Sequence, residues 1–238
     1  MNNTSFNHQY PYKTELHAHT KPVSPCGDFL PEEVVKTYQE KGCHSLTITN
    51  HLIYELLTDP NPAKAAEYYL GDYFKAKKAA EGSDFSVLLG VEIRFTESSN
   101  DYLLYGISPE DLEELITLLP VGITEFYKRF KNKKNLIIQA HPYRKNSTPA
   151  PANALDGVEV MNTHPGHNSR IALAARYARE NNLLVTGGSD YHHLGHDATC
   201  LLRTAHHLRD SYDLAEALKS KDYLLDLEGQ LILPYYEN

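Results

Sequence analysis

TELHAHT, residues 14–20, decides how the chain is read. Glu15, His17 and His19 occupy alternate positions, and on a strand such positions share one face. The stretch closes an extended-looking run from Tyr12 and opens onto a loop rich in Pro and Gly, KPVSPCGDF. Two imidazoles at a strand end make a candidate metal pair. A lone H-x-H in a chain with thirteen histidines has a plainer explanation, because strand-end histidines often cap backbone groups. The decision therefore rests on what the other strand ends carry.

Short runs rich in Val, Ile and Leu recur at about 12–19, 45–50, 86–93, 102–107, 135–140, 157–161 and 183–187. Amphipathic stretches at 31–41, 62–81, 109–119, 122–131 and 169–181 separate most of them. Near-continuous apolar strands alternating with helices predict an α/β domain built on a parallel sheet. About seven such units over ~200 residues suit a closed barrel better than two sheets, with an open doubly wound sheet as the alternative. The whole chain, 1–238, reads as one domain with a core over about 12–200. A closing segment follows at 201–238, expected as an edge strand, a helix and a final strand or hairpin.

Metal-type residues cluster at the ends of these strands: His17 and His19, then Asn50 and His51, Glu92, Asp101, His141, Asn162, and finally Asp190 and His192. Parallel barrel strands finish at one rim, so residues far apart in sequence converge there. The i, i+2 rule also pairs Asp190 with His192 and Glu92 with Arg94, and turns His193 away. Gly187 and Gly188 let the chain pass close to whatever is bound. So many imidazoles and carboxylates exceed the needs of one tetrahedral ion and suit two or three ions of zinc, manganese or iron(II). Two ions about 3.5–4 Å apart favour hydrolysis of a phosphate ester, with a hydroxide on the ions as nucleophile.

The motifs ELHAHT, ITNH, GVEI, AHP and GSDYHH, in that order, resemble the PHP (polymerase and histidinol phosphatase) family of metal-dependent phosphoesterases. The likeness runs from residue 14 to about 200. It implies a distorted (β/α)7 TIM-like barrel with up to three ions at the C-terminal rim. It also implies that His17, His19, Glu92 and Asp190 hold one ion, and that Glu92 bridges to a second held by His141 and Asp101. A third would lie on His51 and His192, completed by Asp28 in the loop after His19. Histidine is frequent in the family where Asp101 stands, and Asn50 replaces its usual aspartate. Glu92, Asp190 and His192 are the expected catalytic residues.

Phosphate would be met by Arg94, which shares a face with Glu92, and by Arg144, with Arg170 ranked below them. His164 and His167 are read as loop residues near the rim, His196 as a neighbour of the site, and Glu15 as a residue lining the barrel below it.

A net charge of −8 argues against a broad nucleic-acid surface, and the basic run KRFKNKK at 128–134 reads as a solvated helix end. There is no run of ~18 apolar residues and no apolar leader after MNNTSFNHQYPYK, so the cytoplasm is the expected compartment. Cys26, Cys43 and Cys200 have no disulfide or zinc-ribbon spacing. The expected substrate is a small phosphomonoester or a nucleotide phosphodiester. Two other functions fit the same residues: a non-catalytic metal-binding regulatory module, and a metal-dependent amide hydrolase.

Overall fold

A computed structural model describes residues 3–234. The remaining positions of the expected domain, 1, 2 and 235–238, lie outside the described residues. In chain order the elements are α1 (Asn3–Gln9), β1 (Tyr12–Ala18), α2 (Pro31–Glu40), β2 (Ser45–Ile48), β3 (His51–Ile53) and α3 (Pro62–Ala79). Next come β4 (Ser86–Leu89), β5 (Val91–Arg94), β6 (Asp101–Tyr105), α4 (Leu112–Leu118), α5 (Ile123–Phe130), β7 (Leu136–Gln139) and β8 (Gly157–Asn162). The chain ends with α6 (Ile171–Glu180), β9 (Leu184–Gly188), β10 (Cys200–Thr204), α7 (Ser211–Ser220), β11 (Leu224–Leu227) and β12 (Gln230–Ile232).

Helix starts follow local chemistry. Pro31 and Pro62 sit in first turns, where a missing N–H costs nothing. The Asn61 carboxamide oxygen accepts the Ala63 N–H at 3.0 Å, and the Asp210 carboxylate accepts the N–H groups of Tyr212 and Asp213. Such a cap contributes about 1 kcal/mol. Both α2 and α3 turn one apolar face inward, through Val34, Val35 and Tyr38, and through Tyr69, Leu70 and Tyr73. Each fully buried large apolar side chain adds ~1.5–3 kcal/mol.

The strands form two mixed sheets, in the orders β12-β11-β10-β1-β2-β4 and β3-β5-β6-β7-β8-β9. Two nearly continuous strands pass from one sheet to the other. β2 runs on into β3 across Thr49-Asn50, and β4 into β5 across Gly90. A Cβ at Gly90 would lie 2.7 Å from Thr49 Cγ2 and 2.8 Å from Thr47 Cγ2, so the two strands approach this closely only with glycine there. Beyond the end of β9, Tyr191 bridges to Ala18 in parallel sense, with Tyr191 N–H donating to His17 O and His19 N–H to Tyr191 O. That single bridge joins the segment after β9 to the end of β1. The central part of the fold is the α/β arrangement expected, expressed as linked mixed sheets.

Two expectations need correction. β6 is antiparallel to both β5 and β7, so the sheet is not all-parallel. Only residues 95–100 join β5 to β6, too few for the crossover that a parallel pair requires. β10 is not an edge strand. It lies between β1 and β11, antiparallel to both, because the β11–β12 hairpin adds outside it. Arg203 pins this extension, donating to Tyr10 O at 2.8 Å and Asp226 Oδ2 at 2.9 Å. Among the described residues no helix is long and apolar enough to cross a membrane.

Candidate metal centre

The strand ends meet as the alternation and the rim argument require. His17 and His19 close β1, His51 opens β3, Glu92 lies in β5, His141 follows β7, and Asp190 and His192 follow β9. Asp101 reaches the same rim for a different reason: it begins β6, and the reversed strand starts where its neighbours end. His141 (φ 28°) and Asp190 (φ 51°) hold left-handed backbone, a conformation costly for residues with a Cβ and concentrated at functional sites.

Glu92 is the hub. Its Oε1 lies 3.1 Å from His141 Nε2 and 3.4 Å from His17 Nε2, while Oε2 lies 2.7 Å from His51 Nδ1 and 3.5 Å from His19 Nε2. Asp190 Oδ1 stands 3.4 Å from Nε2 of both His17 and His19. The His192 ring stacks on His19 at 4.2 Å. Among the described residues, three groups have ligand atoms within 4.8 Å of one another: His17, His19 and Asp190; His17, Glu92 and His141; and His19, His51 and His192.

Whether this donor set fits metal ions is tested by its unmet bonding. Among the described residues, Nε2 of His17 and of His19 are buried without a hydrogen-bond partner, and His51 Nδ1 and Glu92 Oε2, though only 2.7 Å apart, make no well-aligned hydrogen bond. Orphaned buried polar atoms are costly and rare, and here they converge. The tautomer of His17 points the same way. Its Nδ1 donates to Glu159 Oε1 at 2.8 Å, leaving the Nε2 lone pair facing two carboxylates. Only a proton or a cation satisfies that arrangement.

The protonation tendencies express the same conflict. Burial opposes charge on His17, but Asp190, Glu159 and Glu92 outweigh it and hold the imidazole well above its ordinary value. Burial likewise opposes charge on Glu92, yet His51 and His17 keep its carboxyl well below the usual range. His51 is pushed up to about 10 against its burial, chiefly by Glu92. His19 goes down, through burial and then the charges of His192 and His51. The residues fit divalent ions.

Other expected residues are placed differently. Asp101 and the two arginines meet each other: Arg94 donates to both Asp101 oxygens at 2.7 and 2.9 Å, and Arg144 Nη2 donates to Oδ2 at 2.8 Å. Asp101 remains 3.9 Å from His141 Nε2. Asp28 is not in these ligand groups; its exposed carboxylate pairs with His193 Nδ1 at 2.8 Å. Arg170 is exposed at the start of α6. Asn50 fastens the loop after β1, accepting Thr20 N–H at 2.7 Å and donating to Thr20 Oγ1 at 2.8 Å. His164 and His167 stack at 4.2 Å, with His167 Nδ1 3.6 Å from Asp190 Oδ2 and the His196 ring 5.0 Å from His164.

Sequence reasoning missed Glu159. Its carboxylate orients His17, accepts His141 N–H at 3.0 Å and accepts the Asn162 amide at 3.0 Å. The available signal was a glutamate inside an apolar strand, a position where charge survives only when paired. Glu15 sits under a shift in the β1–β2 register. It accepts the N–H groups of Leu16, His17 and Ser189 and the Tyr38 hydroxyl. Cys26 was also passed over; burial pushes its thiol up, but the neighbouring His192 and His51 outweigh that and hold it down to about 6.

A mixed α/β scaffold carries a rim of histidines around a shared carboxylate. The chain belongs to the PHP domain family, whose model matches residues 15–227. Among solved structures it resembles a two-domain protein from Bacteroides vulgatus containing a predicted PHP-like metal-dependent phosphoesterase (TM-score 0.65, 16% identity). That match covers 92% of this chain and 66% of the other. It also resembles PsfC from Pseudomonas syringae (TM-score 0.59, 11% identity, 87% of each chain). An amidohydrolase from Chromobacterium violaceum with bound sulfate and no metal is similar as well (TM-score 0.54, 15% identity, 86% of this chain and 96% of that one). At these identities the likeness concerns the fold. A comparison with curated proteins finds no match.

Proposed function

We propose that the protein hydrolyses a phosphate ester of a small molecule, using two or three divalent ions of zinc, manganese or iron held at the rim. The observation that supports this most is the convergence of orphaned imidazole nitrogens and the Glu92 carboxylate in one buried cluster. His17, His19, Glu92 and Asp190 would hold one ion, Glu92 and His141 a second, and His51 and His192 a third. Bound there, the ions supply Lewis-acid stabilisation of phosphoryl oxygens and lower the pKa of water.

The chain's own residues prepare the site. Glu92, facing four imidazoles, spaces the donors so that charge is shared between neighbouring positions. Glu159 fixes the His17 tautomer. Asp101 anchors Arg94 and Arg144, and their remaining N–H groups would meet a phosphate as charged donors. In this role it is spent on the arginines rather than on an ion. Arg144 Nη1 lies 3.4 Å from His141 Nε2, so a phosphate held by this guanidinium would lie beside a residue that would hold an ion.

An amide hydrolase would use the same donors, but it has no need of two guanidiniums at the edge. The acidic chain favours a small ester over long nucleic acid. The test is p-nitrophenyl phosphate turnover with manganese or zinc added, in wild type and in Glu92→Gln. Turnover lost in the variant, with metal bound by the wild type, is expected. Unchanged turnover in Glu92→Gln removes the hub role. Cleavage of amide but not ester probes removes the phosphate reading.

A further inference from the structure

We propose that Glu15 is a positioning residue for the ion site of His17, His19, Glu92 and Asp190: its side chain ties the main chain beside His17 to that beside Asp190, so that both donors meet one ion. The inference rests on the metal reading above and deepens it.

Glu15 is fully buried. Its Oε1 accepts the N–H groups of Leu16, His17 and Ser189, each at 3.0 Å, and its Oε2 accepts the Tyr38 hydroxyl at 2.8 Å. All of these donors are neutral. A buried carboxylate is costly unless hydrogen bonds satisfy it. An apolar side chain would fill the space without that cost, but it could not hold the three N–H groups.

Those N–H groups lie where the strand ladders give out. β1 pairs with β2 at Thr14, Glu15 and Ala18 and with β10 at Tyr12, Lys13 and Thr14, so neither neighbour takes Leu16 or His17 as a partner. Their N–H groups turn to the Glu15 side chain instead. β9 ends at Gly188, and the N–H of the next residue, Ser189, reaches the same oxygen. Asp190 follows at once, in left-handed backbone. One oxygen thus fastens His17 itself and the residue before Asp190. Beyond them, Tyr191 N–H donates to His17 O at 3.1 Å and closes the other side of the link. The result is His17 Nε2 3.4 Å from Asp190 Oδ1, inside a ligand group that also contains His19. Glu15 belongs to none of the ligand groups among the described residues, so it acts through the main chain. Glu159 orients the His17 ring, and Glu15 places the backbone that carries it.

The bonding separates reach from charge. Glutamine keeps an acceptor oxygen at the same reach for the three N–H groups, and its NH2 can donate to the Tyr38 hydroxyl oxygen. Aspartate keeps the charge but is one methylene shorter, so it cannot hold both strands at once.

The test uses the intact protein. Zinc affinity is measured by competition with a chromophoric chelator, and the cobalt(II) d–d absorption spectrum reports ligand geometry. Glu15→Gln should bind zinc as the wild type does and give the same cobalt spectrum. Glu15→Asp should bind ~10–100-fold more weakly, the loss typical of an outer partner, with a shifted spectrum. Asp226→Asn removes the buried partner of Arg203 in the C-terminal extension and controls for general destabilisation. It should lower the urea midpoint and leave both metal readouts unchanged. Wild-type affinity and spectrum in Glu15→Asp overturn the positioning role while the metal reading stands. So does a loss in folded Glu15→Gln, which decides the matter even where the shorter variant does not fold. Failure of the wild type to bind zinc overturns both readings.

Discussion

Replacing Glu159 with Gln changes one atom and forces a choice on three donors. The carboxylate accepts from His17 Nδ1 through Oε1, and from His141 N–H and the Asn162 amide through Oε2. A carboxamide has one accepting oxygen. If that oxygen faces His17, the new NH2 opposes the His141 N–H and the Asn162 amide, all buried. If it faces the other way, the NH2 presses His17 to accept at Nδ1, and the ring proton moves to Nε2, where an ion needs the lone pair. The first arrangement leaves buried donors unmet at about 1–3 kcal/mol each. The second disables a ligand, and loss of such an outer partner typically lowers metal affinity ~10–100-fold. We expect either a weaker metal-free fold or a weaker ion site, and in practice part of both. Competition with a chromophoric chelator measures affinity, and urea unfolding of the metal-free protein measures stability. If both match wild type, Glu159 does not orient His17.

Gly188→Ala would place a Cβ 2.5 Å from His17 Cβ and 3.1 Å from Glu159 Oε1. We expect destabilisation of about 1–3 kcal/mol from overpacking, together with weakened zinc binding; wild-type binding in calorimetry would contradict this contact. Metal binding should also release protons. His51, raised to about 10, and His17, raised well above 6.5, are charged at neutral pH without an ion, and each must lose its proton to donate a lone pair. Affinity should therefore rise with pH. In the metal-free protein the His51–Glu92 attraction is fully present below about 6.5 and is lost as pH rises through about 10. Calorimetry in buffers of differing ionisation heat reads the release directly; no dependence on buffer would contradict it.

The positions of His17, His19, Glu92, His141 and Asp190 were legible because two periodic rules act together, alternation along a strand and convergence of strand ends. Direction was not legible in DYLLY, since an apolar strand reads alike both ways. The clue lay outside it, in the six residues 95–100 that leave no room for a helix. Asp28 stood out because the family resemblance puts a ligand shortly after the H-x-H motif, but a loop's turns decide which side chain faces the site, and these depend on bonds to His51 and His192 far along the chain. Glu159 was hidden inside GVEVMN, where the alternating pattern announces a strand but not a partner across it. The placement of β10 depended on pairing with β1 nearly two hundred residues earlier, which no local pattern encodes.

The reversal of β6 bears on how such a protein can diversify. In an all-parallel barrel every connection at the working face leads into a helix, so altering it risks the packing of that helix. Here one connection, residues 95–100, is the tip of a hairpin whose legs pair Arg94 with Asp101. Its residues Ser98 and Ser99 are exposed and support no crossover, while Glu97 accepts the Ile123 N–H at 2.7 Å and ties the tip to the start of α5. Substitutions there can reshape what enters beside the guanidiniums while the strands below keep their register. This tip is a natural place for selection, or a designer, to retune substrate preference.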